Sequence, residues 1–316
     1  MDNQQTKTFG ELLDSTFQIV KENFSRLFFI LLILIGPVFV LNYIIQIVSG
    51  TNLISEAGDQ ATFFQTIVKD IQDSSSQGQP IGEDFQGTKL VSGIVMTVLG
   101  IILYPIAHAS VVLAVGRILH KESWAPGELI KHAFSRFWPI LGSVLLFGLI
   151  NGAIFFGGIA ALSFSVIAAI SGSGGGAGTI LFSLLLLLIV FAVVAFLATR
   201  WSMFFGNVIF KKAAPGLGES FKMTKGNFWT TLGFFLVLSL INLVINSVIG
   251  LIVGGILGGS VLSTLISNLV TLVTTVIFYT GYTVMFFNLR TQRESTDLEE
   301  MISTFKGDEE ERTTYS

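Results

Sequence analysis

Six long runs of apolar residues occur along the chain of 316 residues. A helix that crosses a hydrocarbon core of about 30 Å needs about 20 mostly apolar residues, and each run is long enough. Runs such as 184–190 are apolar on every face and lack the alternation that marks barrel strands. Since backbone groups in lipid must bond within their own segment, the pattern predicts helices. The predicted spans are 27–48, 90–115, 137–167, 180–207, 228–257 and 261–289.

The amino-acid composition points to the same class of protein. Hydrophobic residues make up 51% of the chain and charged residues only 12%, about half of the charged share of soluble domains. So few charges do not cover the surface of a soluble domain of this length. The absence of Cys excludes a disulfide scaffold. The net charge of −3 gives no basic field for a nucleic-acid partner.

Basic residues predict the orientation of the spans. Except for Lys69 and Lys89, every Lys and Arg lies in the N-terminal segment, in the second or fourth inter-span region, in the C-terminal tail or, in the case of Arg200, near the end of the span that leads into the fourth region. Cytoplasmic segments carry such an excess of basic residues. We therefore expect cytoplasmic termini on either side of a membrane domain at 27–289. The N-terminal segment 1–26 is a predicted amphipathic helix, and 290–316 is a cytoplasmic tail.

Three segments outside the spans carry patterns of their own. In the outer loop 49–89, apolar residues between 63 and 71 recur at helical spacing. A short amphipathic helix at the membrane surface is one interpretation, and a solvated loop with one packed turn is the other. The Ser- and Gln-rich run 74–80 predicts a flexible linker. The acidic run 308–311 predicts a disordered, solvated end.

A short segment with helical periodicity precedes each span that leaves the cytoplasm. The pattern predicts an all-α, polytopic membrane bundle of six helices, built from three repeats of an amphipathic helix plus a helical hairpin. We expect each short helix to lie in the inner interface; the alternative is that it merely extends its span. The first and third segments share Phe-x3-Lys-x-Asn-Phe, and the second and third share Glu-x8-Phe-Trp. The shared residues are Phe17, Lys21, Asn23 and Phe24, then Phe221, Lys225, Asn227 and Phe228, with Glu128, Phe137 and Trp138 matching Glu219, Phe228 and Trp229.

Two stretches of the chain resemble a known family. They are Arg200-Trp201-Ser202-Met203-Phe204 with the third repeat at 218–229, and the exit of the last span at 287–299. Together they resemble the bacterial membrane-domain family that is found fused to some glycerophosphodiester phosphodiesterases. Its members end the last helix with an Asp-Leu-Arg-x-Arg-x-Glu-like signature, in which Asn288 here replaces the Asp.

The resemblance implies a six-helix module of the bacterial plasma membrane. The phosphodiesterase activity of the fused members belongs to a separate soluble barrel, so the resemblance carries no catalysis to the membrane module.

Residue patterns that support catalysis or metal binding are scarce. His108, His120 and His132 form no HExxH or HxxxH pair and Cys is absent, so we expect no metal site. No nucleophile elbow, Walker lysine or kinase motif occurs, and we expect no enzyme activity and no cofactor. The spans contain no Asp or Glu, whereas ion-coupled transporters usually place a carboxylate near the midplane. An ion-driven transporter is therefore disfavoured.

Arg200 is the one charged residue inside a predicted span. It lies on the order of 10 Å within the cytoplasmic boundary, where a charge costs a few kcal/mol without a partner. One interpretation is that Arg200 snorkels to the headgroups beside Trp201. The other is a lipid site, in which Arg200 contacts an anionic lipid phosphate in a bidentate way, with Trp201, Lys211 and Lys212.

Neutral polar residues also occur within the spans. His108 follows Pro105 by three residues, and we expect His108 or Tyr104 to satisfy the carbonyl that the proline frees. A proton relay at His108 is the alternative. Asn242 and Asn246 are expected to form hydrogen bonds within the bundle.

Two functions stay open at this point. The first is a non-enzymatic scaffold or accessory protein, acting in membrane or lipid homeostasis or for a partner transporter, with anionic lipids of the cytoplasmic leaflet as partners. The alternative is a small-molecule or lipid transporter without an intramembrane carboxylate. A polar cavity lined by Asn242, Asn246 and Arg200 would favour the transporter, and a tightly packed interior would favour the scaffold.

Overall fold

A computed structural model describes residues 7–48, 52–54, 83–170, 177–211, 214–258 and 260–314. The secondary structure of these residues is helical throughout, which confirms the all-α prediction. The helices are α1 Phe9–Val48, α2 Glu83–Leu119, α3 Pro126–Ser135, α4 Phe137–Ile170, α5 Ala177–Trp201, α6 Phe204–Gly206, a π-helix at Asn207–Lys211, α7 Leu217–Met223, α8 Phe228–Leu257 and α9 Val261–Thr314.

Six of these helical stretches are long and apolar enough to cross a membrane, so the chain is a multi-pass membrane protein. Their exposure differs widely: 56% of the most apolar window of Gly93–Leu119 is buried, and none of that of Leu181–Lys211. More than half of the apolar window of Gly93–Leu119 thus packs against protein, whereas α5 presents its apolar side chains outward. The six stretches are Phe9–Val48, Gly93–Leu119, Phe137–Ser163, Leu181–Lys211, Phe228–Leu257 and Val261–Thr296.

The chain divides into two compact units, which we describe separately. The first unit consists of Met1–Phe9, Arg136–Gly233 and Met285–Ser316. Its buried residues include Met203, Val208 and Phe286. The second unit consists of Gly10–Ser135 and Phe234–Val284. Leu27, Leu31, Ala107, Val112 and Val276 are among its buried residues.

The first and last helices extend beyond the predicted spans. Helix α1 runs without a break from Phe9 through the first predicted span to Val48, as in the alternative in which the short segment extends its span. The predicted disordered tail is helical, since α9 continues to Thr314. Good helix formers favour this, and Arg290 and Glu294 form an i,i+4 pair at 2.7 Å. The predicted outer-loop helix and the linker 74–80 lie outside the described residues.

Separate short helices, α3 and α7, do precede α4 and α8. Leu129 and Ala133 of α3 and Met223 of α7 are buried, so part of each apolar face packs against protein. Directly after each short helix, a Trp is almost fully exposed, Trp138 at 77% and Trp229 at 79%. Each Trp packs edge-on against the preceding Phe, with ring centroids 5.1 Å and 5.3 Å apart. Such exposed aromatic residues are typical of headgroup level.

Candidate anion site at the end of helix α5

The end of α5 is fixed through backbone atoms. Helix α5 ends at Trp201, and a turn at Ser202 and Met203 leads into α6. The Ser220 hydroxyl donates to the Arg200 carbonyl oxygen at 2.9 Å and accepts from the Met203 amide at 2.9 Å. Thr224 Oγ1 lies 3.2 Å from the same Arg200 oxygen. Helix α7 therefore satisfies backbone groups that the end of α5 leaves open.

The side chain of Arg200 lies among three phenyl rings. Its guanidinium carbon is 4.8 Å from the centroid of Phe221, 5.5 Å from that of Phe196 and 5.6 Å from that of Phe228. These distances are within the range of cation–π attraction. We call these three residues the phenyl cage. Helices α5, α7 and α8 each contribute one member.

The guanidinium has unused donors. Arg200 Nε and Nη1 are buried and have no hydrogen-bond partner among the described residues, while Nη2 is not among these buried atoms. No carboxylate pairs with Arg200 in the described part of the chain. Glu219 pairs instead with Lys222 at 3.6 Å and with Arg293 at 3.9 Å. Ring faces stabilise a cation without neutralising it, so Arg200 keeps a positive charge available to an anion.

This geometry changes the expected mode of phosphate contact. A bidentate contact uses two guanidinium nitrogens side by side, and here Nε and Nη1 are both covered. In this conformation Nη2 is the guanidinium nitrogen that is not covered.

The other residues predicted for the lipid site, Trp201, Lys211 and Lys212, differ in their exposure and in whether the structure describes them. Trp201 is half-buried, and Lys211 is exposed at the end of the π-helix. Lys212 lies outside the described residues. Among the described residues, Arg200 with its phenyl cage is thus the part of the site that has a defined geometry.

The segment that follows the site is held from another element. Arg136, between α3 and α4, donates through Nη1 to the carbonyl oxygens of Val208 and Ile209, each at 2.9 Å. These carbonyls belong to the π-helix, whose last turn has no continuing helix to bond them. Asn207 is fully buried, and both atoms of its amide are without a partner in the described part of the protein.

His108 does not satisfy a backbone carbonyl as expected. It makes no hydrogen bond among the described residues, and its ring stacks on Tyr279 with centroids 4.1 Å apart. Tyr104 lies farther away, since the centroid of its ring is 6.0 Å from that of His108. Stacking therefore replaces the predicted hydrogen bond.

Asn242 and Asn246 differ in what they connect. Asn242 donates to Leu238 O of its own helix at 2.9 Å. Asn246 joins α8 to α9, because its amide donates to Thr274 Oγ1 at 3.1 Å and accepts from Thr271 Oγ1 at 3.3 Å. Both residues belong to the second unit, whereas Arg200 belongs to the first.

Several residues of the anion site were missed in the sequence. Ser220 and Thr224 anchor the end of α5, and the phenyl cage surrounds the charge. A usable pattern existed, since Phe221 and Phe228 are the two phenylalanines of the motif shared by the first and third repeats. The motif indicated an interfacial helix and not a contact with Arg200.

Ser220→Ala is expected to lower the free energy of unfolding by about 1 to 3 kcal/mol, because it leaves the buried Met203 amide without an acceptor. Thermal unfolding in detergent measures this. Ser295→Ala is the control, since the Ser295 hydroxyl is exposed and bonds only within its helix at Gln292 O. Equal melting temperatures for the two variants would contradict the role of Ser220.

Comparisons with protein-family models, curated proteins and solved structures found no match. The resemblance to the phosphodiesterase-associated membrane family therefore stays a prediction from its short motifs. In the described residues, no group of three or more His, Asp or Glu side chains has the arrangement of a metal site.

Proposed function

We propose that the chain is a non-enzymatic accessory or scaffold protein of the bacterial plasma membrane, acting in lipid homeostasis or beside a partner transporter. In this proposal it binds anionic lipids of the cytoplasmic leaflet. Arg200 contacts the lipid phosphate, and Lys211 and Lys212 add positive charge nearby in the sequence.

The Arg200 guanidinium, which has no carboxylate partner in the described part of the chain, carries the proposal. A largely buried cation without a counter-charge is costly, and an anion in contact with Nη2 would lower that cost. The phenyl cage holds the guanidinium at the end of a candidate span. Headgroup phosphates of a bilayer lie at that level.

The charge pattern gives further support. Nearly all Lys and Arg residues lie at the chain ends and in the inter-span regions that the proposal assigns to the cytoplasm. Basic segments beside spans attract anionic lipids, with about 1 kcal/mol for each Lys or Arg near the surface.

Arg200→Gln is expected to reduce the phosphatidylglycerol and cardiolipin retained by the purified protein roughly five- to tenfold, because it removes about 1 kcal/mol or more of headgroup attraction. Native mass spectrometry of protein released from bacterial membranes measures the bound lipid. The Arg200 backbone oxygen, and not its side chain, accepts from Ser220 and Thr224. The fold is therefore expected to survive the change.

Two further variants complete the test. Arg290→Gln removes a charge whose Nε is already bound to Glu294 at 2.7 Å, and it should retain the wild-type lipids. Arg200→Lys keeps the charge and should retain an intermediate amount, because a compact ammonium does not reproduce the position of Nη2 or the stacking of a planar guanidinium on the phenyl cage. If Arg200→Gln keeps the same anionic lipids as Arg290→Gln, the proposed lipid site is wrong.

A further inference from the structure

Helix α9 carries polar residues at a spacing of three and four along one face. They are Thr264, Asn268, Thr271, Thr275 and Tyr279, which we call the polar seam. Residues at this spacing lie on one side of a helix. The seam is about 22 Å long at 1.5 Å per residue, a large part of the roughly 30 Å hydrocarbon core. All of it lies in the second unit.

Polar or aromatic side chains of three other helices meet the seam. Helices α1, α8 and α2 therefore line it together with α9. The contacts are Thr264 Oγ1 to Gln46 Oε1 at 3.4 Å, Asn268 Nδ2 to Tyr43 Oη at 3.1 Å, Thr271 Oγ1 to Asn246 Oδ1 at 3.3 Å, and the ring of Tyr279 to the ring of His108 at 4.1 Å.

Hydrogen bonding along the seam is incomplete within the described part of the chain. The His108 ring nitrogens make no hydrogen bond, and no donor reaches Asn268 Oδ1. The Tyr43 hydroxyl accepts from Asn268, but its own proton has no acceptor. Thr271 is exposed although it lies inside a candidate span.

Bonding between helices explains only part of this pattern. The bond from Asn246 to the buried Thr274 is typical of contacts that hold spans together. The Thr271 hydroxyl is itself satisfied, since it bonds to Ser267 O at 2.9 Å as well as to Asn246. Such contacts leave the His108 nitrogens, Asn268 Oδ1 and the Tyr43 proton without partners among the described residues. Hydrocarbon cannot satisfy these groups, which is costly inside a span unless they face water or a polar ligand.

The chemistry of the seam narrows the ligand class. Its groups are hydroxyls, amides and stacked aromatic rings, and no Asp, Glu, Lys or Arg is among them. Amides and hydroxyls pair with ligand hydroxyls in either role. Ring faces pack against the apolar C–H surface of a ligand. A charged ligand would lack a counter-charge on these side chains, whereas a neutral polyol matches both kinds of group.

We propose that the polar seam lines a water-accessible crevice in the membrane domain that binds small, uncharged, polyhydroxylated solutes. This site is independent of lipid binding at Arg200, because different residues in the other unit carry it. It adds solute binding to a chain whose proposed function concerns lipids and partner proteins.

The chain contains no Cys, so single-Cys variants test the crevice without a background. The substitutions are Asn268→Cys, Thr271→Cys and Thr275→Cys, with Leu269→Cys as the control on the same helix. Leu269 is 37% exposed and lies off the seam. A membrane-impermeant methanethiosulfonate reagent is applied to membranes that contain the full chain. Seam positions should react at least tenfold faster than Leu269→Cys.

Sorbitol is the probe for the ligand class. At high millimolar concentration it should slow the labelling of Thr271→Cys at least threefold, whereas KCl of equal osmolality should not. His108→Phe, combined with Thr271→Cys, keeps a ring to stack on Tyr279 but removes the nitrogens, and should abolish most of the protection. Thr283→Val, combined with Thr271→Cys in the same way, is the matched control for His108→Phe and should keep the protection by sorbitol. The Thr283 hydroxyl is buried and bonds within its own helix to Tyr279 O.

Each outcome decides the proposal. Labelling of all seam positions as slow as that of Leu269→Cys would show that no crevice exists. Two results would overturn the proposed ligand class. One is fast labelling of Thr271→Cys that sorbitol does not slow. The other is labelling that sorbitol slows equally in Thr271→Cys and in the double variant with His108→Phe. The labelling rate of Thr271→Cys without sorbitol shows whether His108→Phe leaves the crevice intact. Lipid retention by Arg200 is measured separately and is unaffected by these results.

Discussion

Gly206→Ala is expected to lower the free energy of unfolding by about 1 to 3 kcal/mol, the usual cost of an overpacked core. A Cβ atom at position 206 would lie 2.4 Å from Cδ2 of Phe286. The Phe286 ring is fully buried. It also stacks on Phe210 with centroids 5.5 Å apart and packs edge-on against Phe287. The ring can therefore make room for the added methyl group only by shifting against these neighbours.

Gly148→Ala is the matched control for this effect. Gly148 lies in α4 of the same unit, and a Cβ atom there would meet nothing within 4 Å. Alanine is the better helix former by up to about 1 kcal/mol, so this variant should be as stable as the wild type or slightly more so. Thermal unfolding in one detergent compares the two. Equal stability of Gly206→Ala and Gly148→Ala would contradict the close approach of α6 to Phe286.

Local sequence is sufficient to predict the spans. Hydropathy alone identifies them because backbone bonding in lipid allows few alternatives. The fifth span shows how far this extends, since α8 has the predicted bounds of Phe228–Leu257. Its start follows Gly226 at φ +91° and its end precedes Gly258 at φ +54°. Glycine adopts positive φ at the ends of helices more readily than other residues do, and glycines can be read directly from the sequence.

Helix extensions beyond the spans could not be predicted in the same way. Charged residues mark the edge of the hydrocarbon, but they do not end a helix. Lys21 and Glu22 lie within α1, and Arg290 and Glu294 lie within α9. All are residue types that favour helix. At the C-terminal end, a change in hydropathy was therefore mistaken for the end of the helix.

The anion site was only half predictable. Arg200 is conspicuous because it is a charge in an apolar run. Its phenyl cage is not, because Phe196, Phe221 and Phe228 belong to three helices. The chain bends between the last two at Gly226. Only tertiary contact shows that these rings surround one guanidinium.

The polar seam was not predicted from the sequence, for a different reason. Threonine is nearly neutral in hydropathy, so Thr264, Thr271 and Thr275 leave the last span apolar on average. Their common face becomes meaningful only when Asn246 and His108 are seen to meet it from other helices.

Arg136→Met is expected to lower the free energy of unfolding by about 2 to 3 kcal/mol. The Arg136 guanidinium donates to the carbonyl oxygens of Val208 and Ile209, both at 2.9 Å. Val208 is fully buried and Ile209 is 5% exposed, so little water is available to replace these bonds. Hydrogen bonds to charged groups are worth about 1.5 to 3 kcal/mol, and a positive charge at a helix C-terminus adds to them. Methionine keeps a similar length but supplies no donor.

The same substitution at Arg117 provides the control. Arg117 pairs with Glu122 and Glu128, both at 3.2 Å, and both glutamates are more than half exposed. Exposed ion pairs contribute at most about 1 kcal/mol, so Arg117→Met should change stability little. A loss in Arg117→Met as large as that in Arg136→Met would mean that the π-helix does not depend on Arg136.

Hydrogen–deuterium exchange locates the effect of Arg136→Met. Faster exchange is expected for the amides of the π-helix, Asn207–Lys211, because the bonds from Arg136 hold its carbonyls in place. The Ser220 and Thr224 bonds to Arg200 O do not involve Arg136, so exchange at the end of α5 should stay slow. Retained anionic lipid should then stay at the wild-type level, since the phenyl cage is unchanged. Loss of lipid together with faster exchange only at 207–211 would instead assign the lipid contact to Lys211 rather than to Arg200.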